Sequence, residues 1–229
     1  MSIQVKNISK NYGAQKAVDS ISFSIQKGEI VGFLGPNGAG KSTTMKIING
    51  FLKATEGEVF VNDINVAENS LEAQKYIGYL PEHNPLYLEM FVKEYLNFCA
   101  DIHQSSKESV SAIIKKVGLT PESHKKIKQL SKGYRQRVGL AATMLHNPDV
   151  LILDEPTTGL DPNQLVEIRS LIKEIGTDKT VLFSTHVLQE VEAICDRVII
   201  INKGELVADK QLSELKSESL ETLFRDLTN

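Results

Sequence analysis

The stretch IVGFLGPNGAGKST, residues 30–43, decides the fold of this 229-residue chain. Its first five residues contain four apolar side chains and one glycine, which is typical of a strand buried on both faces of a parallel sheet. The next eight residues fit the pattern G-x-x-x-x-G-K-[ST], in which glycines let successive backbone N–H groups point at phosphate oxygens. A helix predicted over residues 43–49 adds the partial positive charge of its N-terminus to the same anion site.

We therefore predict a nucleotide site at this turn. Lys41 is expected to reach the β- and γ-phosphates, and the Ser42 hydroxyl is expected to ligate Mg²⁺. A chance glycine-rich turn is the alternative, but the strand before the motif and the helix after it favour the nucleotide. The residues expected to contact it are Gly35, Pro36, Asn37, Gly38, Ala39, Gly40, Lys41, Ser42 and Thr43.

The rest of the chain alternates apolar strands with helices, which predicts a parallel α/β core. Further buried strands are expected at residues 150–153 and 180–184. The helices that accompany them are expected at residues 165–175 and 188–195.

Other parts of the chain have a different pattern. Residues 1–35 are predicted to be rich in strands, a hairpin is predicted about Asn62 and Asp63, and residues 197–201 are predicted to pair with residues 205–208. Residues 86–145 are predicted to be mostly helical, with helices at 88–103 and 109–117 and a helix start at Pro121.

Bulk composition excludes several classes of protein. The net charge is -3, so no basic excess points to nucleic acid. Cys99 and Cys195 are far apart in sequence and are expected to be reduced thiols in a cytosolic protein. No leader pattern opens the chain, and no stretch reaches the ~18 apolar residues of a membrane span. Any membrane role is therefore expected to depend on another polypeptide.

Two acids, Asp154 and Glu155, directly follow the apolar strand expected at residues 150–153. An unpaired charge buried there is costly, and a nearby Mg²⁺ removes that cost. Asp154 suits an outer-shell ligand of the ion. Glu155 is expected to face the γ-phosphate and to polarise a water as general base. An acidic turn at a strand end is the alternative.

His186 closely follows the strand expected at residues 180–184. The carboxyl ends of parallel strands share one edge of a sheet, where ligands bind. His186 is therefore expected beside Glu155, in reach of the γ-phosphate. The remaining histidines are expected to be structural or exposed: His83, His103, His124 and His146.

The segment LSKGYRQR, residues 130–137, places Ser131 and Gly133 just before a predicted helix. Free N–H groups and the positive end of the helix dipole would then face outward, and three basic residues raise the local potential. From the residues alone, a basic, solvated helix start is the favoured interpretation, and half of a partner's active site is the other.

Five motifs together resemble the ATP-binding subunits of ABC transporters, over nearly the whole chain. They are GPNGAGKST at 35–43, LSKGYRQR at 130–137, LILDEP at 151–156, GLDP at 159–162 and STH at 184–186. Other P-loop NTPases share the first motif and an acidic strand end but lack the second.

The resemblance implies the fold class and its division. It implies one α/β domain over residues 1–229, with a P-loop NTPase (RecA-like) core at 1–82 and 146–229 that includes an N-terminal antiparallel β subdomain. An inserted α-helical subdomain is implied at residues 83–145.

The family also implies roles for single residues. Ser131 and Gly133 match the signature motif, whose serine and glycine contact ATP held by the other protomer of a head-to-tail dimer. Tyr12 falls where an aromatic stacks on adenine, with a strand-edge tyrosine as the alternative. Asp161 falls in the loop that touches the opposite protomer, and residues 82–87 fall in the region that meets the membrane partner.

Some positions depart from the family pattern. Glu82, in GYLPEHNPLY, stands where the family usually has a glutamine that approaches Mg²⁺ and the attacking water. A carboxylate can ligate the ion but donates no hydrogen bond unless protonated, so the role transfers only in part. Lys132 replaces the usual glycine and Tyr134 the usual glutamine. Glu82 and the tail at residues 219–224 are similar to exporter ATPases with a separate membrane chain, and the wider match around Glu82 is similar to the gliding-motility-associated branch.

The resemblance predicts an ATPase that powers an ABC transporter, of exporter type, with ATP and Mg²⁺ as cofactors. The expected partners are a second copy or a paralogue of the ATPase and a separate transmembrane permease, which would hold the protein on the cytoplasmic face of the membrane. Two alternatives stay open. One is a soluble ATP-dependent binding switch without a permease, although nucleic acid is not an expected partner. The other is a monomeric kinase or GTPase on the same core, which the signature motif disfavours.

Overall fold

The computed structural model describes residues 1–215 and 219–228 of the chain. The strands are β1 (Ile3–Tyr12), β2 (Gln15–Ile25), β3 (Ile30–Leu34), β4 (Glu56–Val61), β5 (Ile64–Asn65), β6 (Ile77–Leu80), β7 (Val150–Asp154), β8 (Thr180–Thr185), β9 (Arg197–Asn202) and β10 (Glu205–Gln211). The helices are α1 (Lys41–Ile48), α2 (Ser70–Gln74), α3 (Val92–Ile102), α4 (Lys107–Lys116), α5 (Lys132–Met144), α6 (Pro162–Gly176), α7 (Leu188–Ile194) and α8 (Leu220–Thr228).

The larger sheet has the strand order β10-β9-β3-β8-β7-β6. The strands from β9 to β6 in this order are parallel, and β10 closes one edge antiparallel to β9. The three runs predicted as buried strands form β3, β7 and β8, and every residue in these strands is buried. Their carboxyl ends therefore meet at one edge of the sheet, as predicted.

Apolar clusters cover both faces of this sheet. On one face Ile152 packs in a cluster with Met45 of α1 and with side chains of the smaller sheet. On the other face Phe183 packs in a cluster with Leu140 of α5 and Ile172 of α6. Successive residues of a strand point to opposite faces, so a strand covered on both sides needs apolar residues at nearly every position.

The smaller sheet is antiparallel, with the order β2-β1-β4-β5. Its predicted hairpin is confirmed, because Val61 pairs with Ile64 across Asn62 and Asp63. These two turn residues have φ of 47° and 64°, the left-handed conformation that tight hairpins require and that Asn and Asp tolerate. The predicted α/β architecture, a parallel core with an N-terminal antiparallel sheet and an inserted helical segment, is confirmed.

The structure corrects two predicted helix starts between β6 and β7. The helix predicted from residue 88 begins at Val92, because residues 88–91 form a turn whose backbone pairs with residues 126–128. Pro121 lies in a single 3-10 turn, Thr120–Glu122, and not at the start of an α-helix. The short elements α2 and β6 were not predicted, since neither is long enough to show a periodic pattern.

None of the helices in the described residues combines the length and the apolar character that a bilayer span requires. The domain limits implied by the resemblance include residues 216–218 and 229, which lie outside the described residues.

Candidate functional site

The glycine-rich turn joins β3 to α1 at the carboxyl edge of the larger sheet. Gly38 and Gly40 have φ of 81° and 107°, which glycine adopts without strain. A Cβ at Gly40 would stand 2.5 Å from the backbone oxygen of Ala17, so only glycine fits there. The helix after the turn begins at Lys41, two residues before its predicted start. The first turn of α1, with its unpaired N–H groups, therefore faces the loop.

A cavity of about 550 Å³ opens over this turn. Most of the predicted site residues line it: Tyr12, Asn37, Gly38, Gly40, Lys41, Ser42, Thr43, Glu82, Glu155 and His186. Gly35, Pro36 and Ala39 belong to the same loop. The sequence analysis missed three further lining residues: Gln15, Ala17 and Thr158. The β1–β2 hairpin brings the first two to the cavity, and no motif marks them.

Asp154, the last residue of β7, is 1% exposed. Its Oδ1 accepts hydrogen bonds from the Ser42 hydroxyl at 3.1 Å and from the Ser184 hydroxyl at 2.6 Å. One carboxylate oxygen thus joins α1, β7 and β8, and hydrogen bonds to an ionised group of this kind are strong. A hydroxyl beside a carboxylate provides the oxygen ligands that Mg²⁺ prefers.

Glu155 lies just beyond β7 with φ of 49°, which is uncommon for a residue other than glycine. Its N–H donates to Ser184 Oγ at 2.9 Å. Its Oε2 accepts from the Thr158 hydroxyl at 3.2 Å and from His186 Nδ1 at 2.9 Å, while Oε1 lies 3.5 Å from Lys41 Nζ. A strained backbone held by several contacts is typical of functional positions.

Lys41 and His186 both contact the carboxylate of Glu155. Lys41 Nζ also donates to the carbonyl oxygens of Gly35 at 2.7 Å and Pro36 at 3.2 Å, so the buried ammonium is fully bonded and pairs with Glu155. His186 carries its proton on Nδ1, because a carboxylate oxygen can only accept. Its ring is 44% exposed and lines the cavity, which leaves Nε2 available for a hydrogen bond to a group bound there.

Glu82 follows β6 and reaches the cavity from the far edge of the parallel strands. It also lines a second cavity of about 350 Å³, which shares Glu155 and is bounded on its other side by Lys132 of α5. Tyr79, three residues before Glu82, belongs to β6. Burial, with a further contribution from the charges of Asp154 and Glu82, raises the pKa of Tyr79.

Ser131, Gly133 and Asp161 do not line the 550 Å³ cavity in the described chain. Ser131 caps α5, accepting from Tyr134 N–H at 3.4 Å, and Asp161 caps α6, accepting from Gln164 N–H at 3.0 Å. The prediction that Gly133 precedes the helix is wrong, since α5 begins at Lys132. A Cβ on Gly133 would meet the Gln164 side chain at 2.7 Å, so the signature segment packs closely on α6.

The basic residues around this segment are largely paired within the chain. Lys125 and Lys128 each lie 2.9 Å from a glutamate oxygen, and Arg137 pairs with Glu167. Arg135 donates to two backbone carbonyls. Three of these basic side chains therefore have a carboxylate partner within the chain: Lys125, Lys128 and Arg137.

Comparison with known proteins gives the following relatives. Residues 18–158 match the family model described as "ABC transporter", and residues 126–192 match a model described as "AAA domain, putative AbiEii toxin, Type IV TA system". The chain is 39% identical over 227 residues to an uncharacterized ABC transporter ATP-binding protein, YhcH, of Bacillus subtilis (strain 168), over 97% of this chain and 74% of YhcH. It is 36% identical over 232 residues to the bacitracin transport ATP-binding protein BcrA of Bacillus licheniformis, over 99% of this chain and 75% of BcrA.

Among solved structures, the chain is similar to the bacterial ABC transporter cassette MJ0796. The dimeric structure of MJ0796 matches with a TM-score of 0.83 and 27% identity, over 92% of this chain and 98% of that chain. A dimeric post-hydrolysis state of the same cassette, bound to ADP and Pi, matches with a TM-score of 0.83, 26% identity and the same coverage.

Proposed function

The chain belongs to the ABC transporter family of ATP-binding subunits and is an ATPase, and on that premise we propose that two such chains and a separate permease form one transporter. The observation that supports this proposal is that three side chains contact the carboxylate of Glu155. Its carboxylate is contacted, at one cavity, by Lys41 from the glycine-rich turn, Thr158 from the loop after β7 and His186 from the end of β8.

In this proposal the triphosphate of ATP lies along the turn, held by backbone N–H groups and by Lys41. Tyr12 supports the adenine from the cavity rim, where half of its side chain is exposed and available for stacking. Glu155 accepts the proton of the attacking water, and its contacts with Thr158 and His186 fix the direction of its carboxylate. Phosphoryl transfer depends on positioning and charge, and this chain's residues provide both.

Ser42, Asp154 and Glu82 fit an Mg²⁺ ion in this site. The donors are hydroxyl and carboxylate oxygens, and Asp154 and Ser42 already stand 3.1 Å apart. The described residues contain no cluster of three or more His, Cys, Asp or Glu side chains that would hold a metal alone. That agrees with Mg²⁺, which proteins usually bind through one or two carboxylates together with substrate phosphates. The ion, when bound, neutralises charge on the phosphates.

The proposal assigns Ser131, Gly133 and Asp161 to the ATP of a second copy. They lie outside the cavity of their own chain, and Ser131 is exposed at the positive end of α5. In a head-to-tail dimer each ATP would touch the turn of one chain and the signature segment of the other. ATP would then stabilise the closed dimer, and hydrolysis would release it, since ligands shift populations toward the state that they bind best.

We further assign residues 1–82 and 146–229 to the nucleotide-binding core and residues 83–145 to the helical subdomain. Attachment to the cytoplasmic face of a membrane would occur through the permease. The name of BcrA, a bacitracin transport protein, supports export. The similarity of GYLPEHNPLY to the gliding-motility-associated branch stays a prediction, which the relatives' names do not support.

The variant Glu155→Gln tests the enzymatic part of the proposal. It keeps the size of the side chain and removes the base, so hydrolysis should fall by about 10²–10⁴-fold. With ATP and Mg²⁺ the variant should double in mass by light scattering, because it binds ATP without consuming it. Glu174→Gln, at an exposed position of α6, is the matched control. A Glu155→Gln protein that stays monomeric at saturating ATP would contradict the dimer.

A pull-down from detergent-solubilised native membranes tests the transporter part. Recovery of a multi-span protein near equal stoichiometry is the expected result. Recovery of soluble proteins only would favour an ATP-dependent binding switch.

A further inference from the structure

The hydroxyl of Tyr79 is buried and has no hydrogen-bond partner among the described residues. His146 Nδ1 and Arg169 Nε share this property, but each of those side chains has a partner at another nitrogen: Ile77 O lies 3.0 Å from His146 Nε2, and Glu190 lies 3.8 Å from Arg169. The hydroxyl is the only polar group of the Tyr79 side chain. Its desolvation is therefore not offset within the described chain, and such a group calls for a functional explanation.

The register of the larger sheet places Tyr79 next to the site. Tyr79 pairs with Ile152 in the parallel ladder between β6 and β7. Ile152 and Asp154 are two residues apart on one strand, so all three side chains lie on the same face of the sheet. That face is the one covered by α1, since Asp154 bonds Ser42 and Tyr79 packs in the cluster of Ile152. The strand spacing and rise put the Cα atoms of Tyr79 and Asp154 about 8 Å apart, which a tyrosine side chain can span.

Asp154 has an acceptor to offer this hydroxyl. Both of its hydrogen bonds, from Ser42 and Ser184, go to Oδ1, and Oδ2 has none among the described residues. The phenol of Tyr79 carries an O–H that can donate one hydrogen bond, and a carboxylate oxygen such as Oδ2 can accept it.

We propose that Tyr79 is a positioning residue, whose hydroxyl donates to Oδ2 of Asp154 when this carboxylate serves a divalent cation at Ser42. A donor on Oδ2 opposes rotation of the carboxylate about its Cβ–Cγ bond and keeps Oδ1 directed at Ser42. The inference rests on the proposed function, because that function makes Ser42 and Asp154 the cation site.

The variant Tyr79→Phe removes only the hydroxyl. In the nucleotide-free protein its melting temperature should equal or exceed that of the wild type, because an unpaired buried group is lost. ATP affinity in the presence of EDTA should not change. The affinity for Mn²⁺ in the presence of ATP, measured by electron paramagnetic resonance of free Mn²⁺, should fall about tenfold, as for other groups that orient a metal ligand.

Tyr76→Phe is the matched control, since Tyr76 is a partly buried tyrosine of the same cluster, three residues away. It should leave Mn²⁺ affinity unchanged. Unchanged Mn²⁺ affinity in Tyr79→Phe would overturn the proposal, and so would a lower melting temperature of its nucleotide-free form, which indicates a structural partner. A wild-type protein that binds ATP no better with Mn²⁺ than with EDTA would instead overturn the cation site itself, and the role of Tyr79 with it.

Discussion

Replacing Ser184 with alanine should weaken both the fold and the reaction, because one hydroxyl joins the two acids of the site. Ser184 Oγ donates to Asp154 Oδ1 at 2.6 Å and accepts from the N–H of Glu155 at 2.9 Å. The residue is fully buried at the end of β8. Neither contact can be replaced by solvent without moving the strand ends.

The magnitude follows from these two contacts. A hydrogen bond to a charged group contributes about 1.5–3 kcal/mol, and a buried N–H left unpaired costs about 1–3 kcal/mol. The two contributions share one residue and are not additive, so we expect a loss of about 3 kcal/mol in the free energy of unfolding. In a chain of this size that lowers the melting temperature by about 6–12 °C. Misplacement of Asp154 and Glu155 should lower kcat by about 10²-fold.

Thermal melts and steady-state hydrolysis of Ser184→Ala should be compared with those of Thr180→Val. Thr180, on the same strand but at its other end, is also fully buried, accepts from Gly28 N–H at 3.2 Å and donates to Ser2 Oγ at 2.9 Å. Thr180→Val should lose about 1–2 kcal/mol of stability while keeping its kcat. A folded Ser184→Ala protein that retains wild-type kcat would contradict this role and make Ser184 a structural residue only.

Two further predictions concern the cation and pH. Glu82→Gln should raise the Mg²⁺ concentration needed for half-maximal hydrolysis severalfold, because it removes one carboxylate ligand; an unchanged Mg²⁺ titration would exclude Glu82 as a ligand. Burial lowers the pKa of His103 and of His146, whose rings stack at 4.3 Å. The unfolded chain therefore takes up protons at higher pH than the folded chain, so the free energy of unfolding is fully retained above about pH 6.5 and declines as the pH falls below it. Urea melts across this range should show the decline, and His146→Gln should flatten it; an identical slope in the variant would contradict the assignment.

The sequence predicted the parts of the fold that depend on long patterns. The uninterrupted apolar runs of β3, β7 and β8 identify strands covered on both faces, and this placed Asp154, Glu155 and His186 at one edge. The strand β6 has only four residues and escaped detection, so the position of Glu82 rested on the family resemblance alone. The start of α3 at Val92 depends on pairing between residues 88–91 and 126–128, a tertiary contact that helical periodicity does not encode.

The contacts within the site were less predictable than its members. The motifs identify Lys41 and Glu155 but not their buried pairing, nor the left-handed backbone of Glu155. Ser184 belongs to a motif, yet its two hydrogen bonds appear only when β7 and β8 lie side by side. Tyr79 lies in the segment GYLPEHNPLY, but nothing in the sequence marked its hydroxyl, because a tyrosine is ordinarily a packing residue.

We propose that each active site is shared between two chains, and a mixture of two inactive variants can show whether it is. Lys41→Ala removes the phosphate-binding half of every site, and Ser131→Arg, at an exposed cap position, blocks the signature half. Each variant alone should be inactive. In a mixed head-to-tail dimer one of the two sites joins two intact halves, so an equal mixture should recover about a quarter of the wild-type hydrolysis rate per chain if the sites act independently. A mixture as inactive as its components would contradict the shared site.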